Sequence, residues 1–143
     1  MYGIDQDHVV TKPFLFVVDD DEVVRRSIVK RLIRLNCTVR DFESGEALIN
    51  SLEHLKENPD VILLDYKMKG INGIETLRRL RKTHPMIPTF IFTAYAGERD
   101  LSLVEELGNC EVLLKTVDLH ALHHIVNGAM AIKKLRMSEC ADC

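Results

Sequence analysis

No apolar run in this 143-residue chain is long enough to cross a bilayer. The longest, such as Phe14 to Val18 and Val61 to Leu64, fall far short of the roughly 20 residues a spanning helix needs. No secretory leader is visible at the N-terminus, where Asp5, Asp7 and His8 stand in place of an apolar core. Positive charge is not in excess: 19 Lys and Arg against 22 Asp and Glu leave a net charge of −3, so no global field exists to hold nucleic acid. Repeats and low-complexity segments are absent. Cysteine is scarce. Cys140 and Cys143 form a C-x-x-C at the end of the chain, but no second close pair completes the four ligands of a zinc site. Cys37 and Cys110, flanked by strand-like residues, read as buried thiols, and without a leader the compartment expected is the reducing cytoplasm. A secreted, membrane-spanning or collagen-like protein is not expected.

What remains is ordinary for a globular domain: 46% hydrophobic and 29% charged residues. A chain of this length buries roughly 70% of its unfolded surface and needs no disulfide or metal to fold. Residues 1–12 read as an arm, 13–136 as one domain and 137–143 as a tail carrying the C-x-x-C. Within the domain, short β-branched and aromatic runs recur at Phe14–Val18, Thr38–Asp41, Asp60–Leu64, Pro88–Phe92 and Cys110–Leu114. Most are apolar throughout, as strands buried on both faces require.

Amphipathic stretches separate them. Val24, Ile28, Leu32 and Leu35 share one face of the first, with Arg25, Arg26, Lys30, Arg31 and Arg34 on the others, a solvated charge run. Leu48, Leu52 and Leu55 stripe the second, and Ile74, Leu77 and Leu80 the third. Leu101, Val104 and Leu107 stripe the fourth, and Leu119, Leu122, Val126, Ala129 and Ile132 the long fifth. Five strands alternating with five helices predict an α/β fold, a doubly wound, five-stranded parallel sheet flanked by five helices, flavodoxin-like and forming a single domain.

In such sheets chemistry gathers outside the carboxyl ends of the strands. The first strand runs into Asp19-Asp20-Asp21, the third into Asp65, the fourth into Thr93 and the fifth into Lys115. Clustered carboxylates need a counter-charge, and Mg²⁺ favours oxygen ligands. One carboxylate can then act as nucleophile toward phosphorus, with Thr93 and Lys115 contacting phosphoryl oxygens. Singly, each signal has a structural explanation, such as an aspartate N-cap or a β-forming threonine. Their coincidence at matching strand ends is what points to phosphoryl transfer.

These residues resemble the receiver domain of two-component response regulators, over roughly residues 13 to 136. Phe16-Val17-Val18-Asp19-Asp20 looks like the family's acidic pair, followed by Arg25. Leu63-Leu64-Asp65-Tyr66-Lys67-Met68 looks like the phospho-acceptor segment, with Gly73 closing its loop. Phe92-Thr93-Ala94 looks like the switch residue and its small neighbour, and Lys115 like the invariant lysine. The successive intervals of 45, 28 and 22 residues, from Asp20 to Asp65, from Asp65 to Thr93 and from Thr93 to Lys115, suit that family. The resemblance implies that Asp65 is phosphorylated by a histidine kinase or phosphotransfer protein. Mg²⁺ would be held by Asp20, Asp65 and the backbone carbonyl of Lys67, with Asp19 acting mainly through water. Thr93 would then repack the face made by the fourth helix, fifth strand and fifth helix. Such a chain is a cytoplasmic phosphoprotein rather than an enzyme, binds neither nucleic acid nor membrane itself, and can dimerise on phosphorylation.

Three positions depart from the family: Lys69 and Thr116 stand where proline is usual, and Val112 where a switch aromatic is common. Without proline, the bond between Lys115 and Thr116 is expected to be trans or a strained cis. Lys67 and Tyr95 stand at positions that in this family flank the path of a hydrolytic water, so the resemblance implies slow self-dephosphorylation. Two other readings compete. Asp19-x-Asp21-x-Val23 fits the signature of haloacid-dehalogenase-like phosphatases, with Asp19 as nucleophile and Asp21 as acid–base. That reading leaves Asp65 idle and offers only Asp118 for the later acidic pair. The other is a receiver-like binding module that takes no phosphate. His120, His123 and His124 share a helix face, and read as solvated.

Overall fold

The computed structural model describes residues 12–94, 98–114 and 117–141, with the backbone alone at 98, 99 and 139–141. Five strands, β1 (Phe14–Val18), β2 (Thr38–Phe42), β3 (Val61–Asp65), β4 (Thr89–Thr93) and β5 (Cys110–Leu114), alternate with five helices. These are α1 (Glu22–Arg34), α2 (Gly45–His54), α3 (Gly73–Thr83), α4 (Glu98–Leu107) and α5 (Leu119–Ala141). Four of the helices begin on a side-chain cap: Asp21 accepts from the Val24 N–H, Ser44 from Ala47, Asn72 from Glu75 and Asp118 from Ala121. Helix α5 runs on through residues 137–141 of the expected tail.

All strands are parallel in the order β2-β1-β3-β4-β5, so the chain reverses direction across the sheet between β1 and β3. In a doubly wound sheet that reversal opens a crevice at the carboxyl edge. The central strands bury both faces. Phe16, Val18, Ile62 and Leu64 meet α2, α3 and α4 through Leu48, Leu52, Leu77 and Val104. Leu15, Val17, Val61 and Leu63 meet α1 and α5 through Ile28, Leu32, Leu122 and Ile125. Each fully buried leucine of this kind contributes about 1.5–3 kcal/mol.

Several expectations shift. Strands β3 and β4 each start and end one residue later than the apolar runs suggested, which makes Asp65 and Thr93 the last residues of their strands. Strand β2 is an edge strand that is only partly buried, so it is polar on one side rather than apolar throughout. Leu101 and Leu119 are exposed, at 40% and 56%, because both lie in the first turn or so of their helices, beyond the cover of the sheet. Cys37 is buried, but Cys110 on edge strand β5 is only partly so. Burial pushes both thiols up to about 11, which leaves them protonated and inert near neutral pH.

The opposite, amino edge of the sheet is clamped by charge. Asp60, fully buried just before β3, accepts a hydrogen bond of 2.8 Å from the Phe14 N–H and pairs with Arg136 and Lys133 of α5. Arg81 of α3 donates to the carbonyls of Gly108, Asn109 and His84 and to Thr89 Oγ1, tying the α4–β5 turn to β4. The carboxyl edge is thereby left to carry the site.

Candidate functional site

Parallel pairing of Val18 with Leu64 carries β1 and β3 to the carboxyl edge side by side, so Asp19 and Asp65 follow at adjacent positions. Asp65 pairs with Phe92, and Thr93 is the next residue of β4. One oxygen from each of Asp19, Asp20 and Asp65 lies within 4.8 Å of the other two. Asp19 and Asp65 are almost wholly buried, Thr93 is 3% exposed, and Asp20 is partly open. An open cleft of about 640 Å³ leads to Asp65 and Thr93, walled also by Lys67, Asn72 and Ala94. Lys67 is exposed at its mouth.

The acidic turn after β1 is held at several points. Its Asp19 N–H donates to the Phe42 carbonyl at 3.1 Å, and Arg25 Nη1 donates to the Asp19 carbonyl at 2.8 Å. The Asp21 N–H donates to Asp19 Oδ1, and the Lys69 N–H reaches across from the β3–α3 loop to Asp20 Oδ2, both at 2.9 Å. Asp21 itself is exposed and spends its carboxylate on capping α1. Arg25 is a correction: it is not part of a solvated run, since its side chain is 13% exposed and pairs with Asp41 at 2.8 Å.

The loop after Asp65 is equally fixed. The Gly73 N–H donates to the Tyr66 carbonyl at 2.7 Å, and the Ile71 N–H to Glu46 Oε2 at 3.2 Å. Gly70 turns the chain with φ of +80°, a region that favours glycine. A Cβ on Gly73 would lie 2.7 Å from the Asp65 carbonyl oxygen, so only glycine lets α3 start this close to the strand end. Tyr66 donates its hydroxyl to Asp100 Oδ2 in the first turn of α4 at 2.8 Å. That bond to a carboxylate, followed by burial, raises the phenol above its ordinary pKa.

Among the described residues, the three aspartates are the one His, Cys, Asp or Glu group placed to hold a metal ion. At an effective dielectric of about 20, two ionised carboxylates this close repel by about 3–4 kcal/mol, so the group favours a hard cation. The chemistry of the donor set therefore fits Mg²⁺. His120, His123 and His124 join no such group; His124 faces Glu111 at 3.6 Å. Lys115, Thr116, Tyr95, Cys143 and residues 1–11 of the arm lie outside the described residues, as does the side chain of Cys140. The structure thus brings together Asp19, Asp20, Asp65, Lys67 and Thr93. Sequence reasoning missed the Tyr66–Asp100 bond and the inward turn of Arg25, for which no local pattern gave a signal.

A five-stranded doubly wound sheet with an acid cluster at its switch point defines a class of phosphate- or cation-handling α/β domains. The model of the response regulator receiver domain family matches residues 15–127, and the chain belongs to that family. It is 29% identical over 117 residues to the DNA-binding transcriptional regulator NtrC of Escherichia coli, covering 82% of this chain and 24% of the relative. It is 31% identical over 129 residues to the autoinducer 1 sensor kinase/phosphatase LuxN of Vibrio harveyi, covering 90% of this chain and 15% of LuxN. The chain thus spans less than a quarter of the length of either. The CheY-like receiver domain protein of Methanospirillum hungatei superposes with a TM-score of 0.78 at 19% identity, covering 87% of this chain and 98% of that one. The chain is a receiver of the phosphorylation-dependent signalling type. No helix among the described residues is long and apolar enough to cross a membrane.

Proposed function

We propose that Asp65 is the phospho-acceptor and that Asp19 and Asp20 complete a Mg²⁺ site around it. The observation that carries this reading is the meeting of three carboxylate oxygens within 4.8 Å at the carboxyl edge, with buried Thr93 on the next strand. In this scheme an Asp65 oxygen attacks phosphorus, and the bond from phosphorus to a donor histidine nitrogen or acyl oxygen breaks. The donor in the cell is a histidine kinase or a phosphotransfer protein. Asp20, Asp65 and the Lys67 carbonyl would hold the ion, with Asp19 acting through water. When bound, Mg²⁺ neutralises the carboxylates and the incoming phosphoryl oxygens. Thr93 donates its hydroxyl to one phosphoryl oxygen, and Lys115 pairs with another.

The chain is then a cytoplasmic acceptor and switch, and not a turnover enzyme. Movement of Thr93 toward the phosphoryl group repacks the face of α4, β5 and α5, with Val112 in place of a switch aromatic. Dimerisation through that face would be its phosphorylated state. The phosphatase reading has less support: its general acid, Asp21, is engaged as a helix cap and stands outside the acid group.

The test is intact mass after incubation with Mg²⁺ and a small acyl phosphate. One added phosphoryl group on the wild type and none on Asp65→Ala is expected. Hydrolysis of a phosphate ester without mass gain would favour the phosphatase, and inertness of both proteins the binding module. Lys67, exposed at the cleft mouth, covers the path to the phosphoryl group, so the phosphorylated wild type should lose phosphate slowly. Lys67→Ala should lose it several-fold faster in a mass-based decay assay. Equal decay would remove this role from Lys67.

A further inference from the structure

We propose that Arg25 is a positioning residue of the cation site, setting its affinity for Mg²⁺ through the backbone of the acidic turn. The proposal rests on the reading of Asp19, Asp20 and Asp65 as that site, and adds to it a residue that touches neither cation nor phosphoryl group. Arg25 and Arg26 are neighbours on α1 with opposite fates. The Arg26 side chain is 70% exposed and pairs with Glu22 one turn back, whereas Arg25 is 13% exposed and folds over the end of the sheet. There its Nη1 donates to the Asp19 carbonyl and its Nε to Asp41 Oδ2, each at 2.8 Å.

Each contact has a separate consequence. Asp41 lies on β2, next to Phe42, whose carbonyl accepts from the Asp19 N–H. The peptide units on both sides of Asp19 are therefore anchored to one place, the carboxyl end of β2. Without the guanidinium, the Asp19 carbonyl loses its charged donor. The turn is then free to relax under the mutual repulsion of carboxylates it is meant to hold together. Asp20, joined to the β3–α3 loop by the Lys69 N–H, shifts with it.

Charge and geometry make opposite forecasts here. If Arg25 acted only through its field, removing a cation beside an acid cluster would tighten Mg²⁺ binding. Its charge is already matched by Asp41 at 2.8 Å, so the ordering of the turn dominates. Residues that orient ligands from outside commonly govern affinity by about 10–100-fold. Arg25→Ala is accordingly expected to bind Mg²⁺ about tenfold more weakly. Arg25→Lys keeps the charge but loses the fork that spans both acceptors, and should weaken binding several-fold.

The experiment is calorimetric titration of wild type, Arg25→Ala and Arg25→Lys with MgCl₂ at fixed ionic strength and without any phosphodonor. Phosphorylation by an acyl phosphate is then followed across Mg²⁺ concentrations. Support is weaker binding in both variants, with phosphorylation approaching the wild-type rate once Mg²⁺ is saturating. Tighter binding in the alanine variant, or unchanged binding in the lysine variant, overturns the proposal. Should the alanine variant not fold, the lysine variant decides alone. Wild-type protein that takes up no Mg²⁺ overturns the reading of the site and this proposal together. Wild-type binding that is matched by both variants overturns this proposal only.

Discussion

Replacing Asp60 by alanine is expected to lower the unfolding free energy by about 3 kcal/mol, the lower end of the range for breaking a buried ion pair from one side. Asp60 is fully buried at the amino edge of the sheet. Its two oxygens accept from the Phe14 N–H and pair with Arg136 and Lys133, which joins β1, β3 and the last turns of α5 at one point. Alanine leaves the Phe14 N–H without its acceptor in a half-buried place, at a cost of about 1–3 kcal/mol. It also strands two cations. These recover part of the loss in water, because the Arg136 and Lys133 side chains are already 43% and 18% exposed. That partial recovery is why the lower end of the range applies. Asp60→Asn, which keeps an acceptor for Phe14, should lose less. Urea or thermal melts read the difference directly, with a midpoint lower by about 10 °C for the alanine variant of a domain this size. A loss below about 1 kcal/mol would mean that the clamp is worth no more than a surface pair. Asp65, the proposed phospho-acceptor, lies at the other edge of the sheet, so phosphoryl uptake by the folded variant should be nearly unchanged.

Asp60 also marks the boundary of what was legible in the sequence. The strands were, because the middles of β1, β3 and β4 are buried on both faces and read as continuous apolar runs. The helices were, because stripes such as Ile74, Leu77 and Leu80 follow the period of the helix. Those two periods place Asp19, Asp65 and Thr93 at one edge once the strands are parallel, so most of the site came with the fold. Contacts between residues distant in sequence did not come with it. Asp60 and Arg136 are 76 positions apart, and Tyr66 and Asp100 are 34 apart. No local pattern links such partners. Arg25 was misread for a related reason: helical spacing distinguishes faces, but the end of β2 is what draws this side chain inward. Edge strand β2 and the exposed Leu101 and Leu119 differ from expectation because burial depends on neighbours that periodicity cannot count.

Adding a single methyl group at Gly73 should slow phosphorylation of Asp65 by about 100-fold, the scale on which displacements of about 1 Å act on a positioned reaction. The new Cβ would sit 2.7 Å from the Asp65 carbonyl oxygen and 2.9 Å from the Tyr66 Cα, both backbone atoms with nowhere to rotate. The Gly73 N–H donates to the Tyr66 carbonyl at 2.7 Å, so α3 and the strand end cannot part without breaking that bond. Either α3 moves out, opening the loop that carries Lys67 and Lys69, or the end of β3 moves in and turns the Asp65 carboxylate. Both displace an oxygen of the acid group. Overpacking of this kind costs about 1–3 kcal/mol, which a domain of ordinary stability survives. The variant should therefore fold and yet react slowly. Gly128→Ala is the matched control: it adds the same methyl in α5, where nothing lies within 4 Å. It should leave the rate alone and gain up to about 1 kcal/mol from better helix propensity. Initial rates of mass gain at saturating Mg²⁺, with melts on the same samples, separate the two effects. If Gly73→Ala reacts as fast as Gly128→Ala, the carboxylate does not depend on the close approach of α3, and the geometry assigned to the acceptor is wrong.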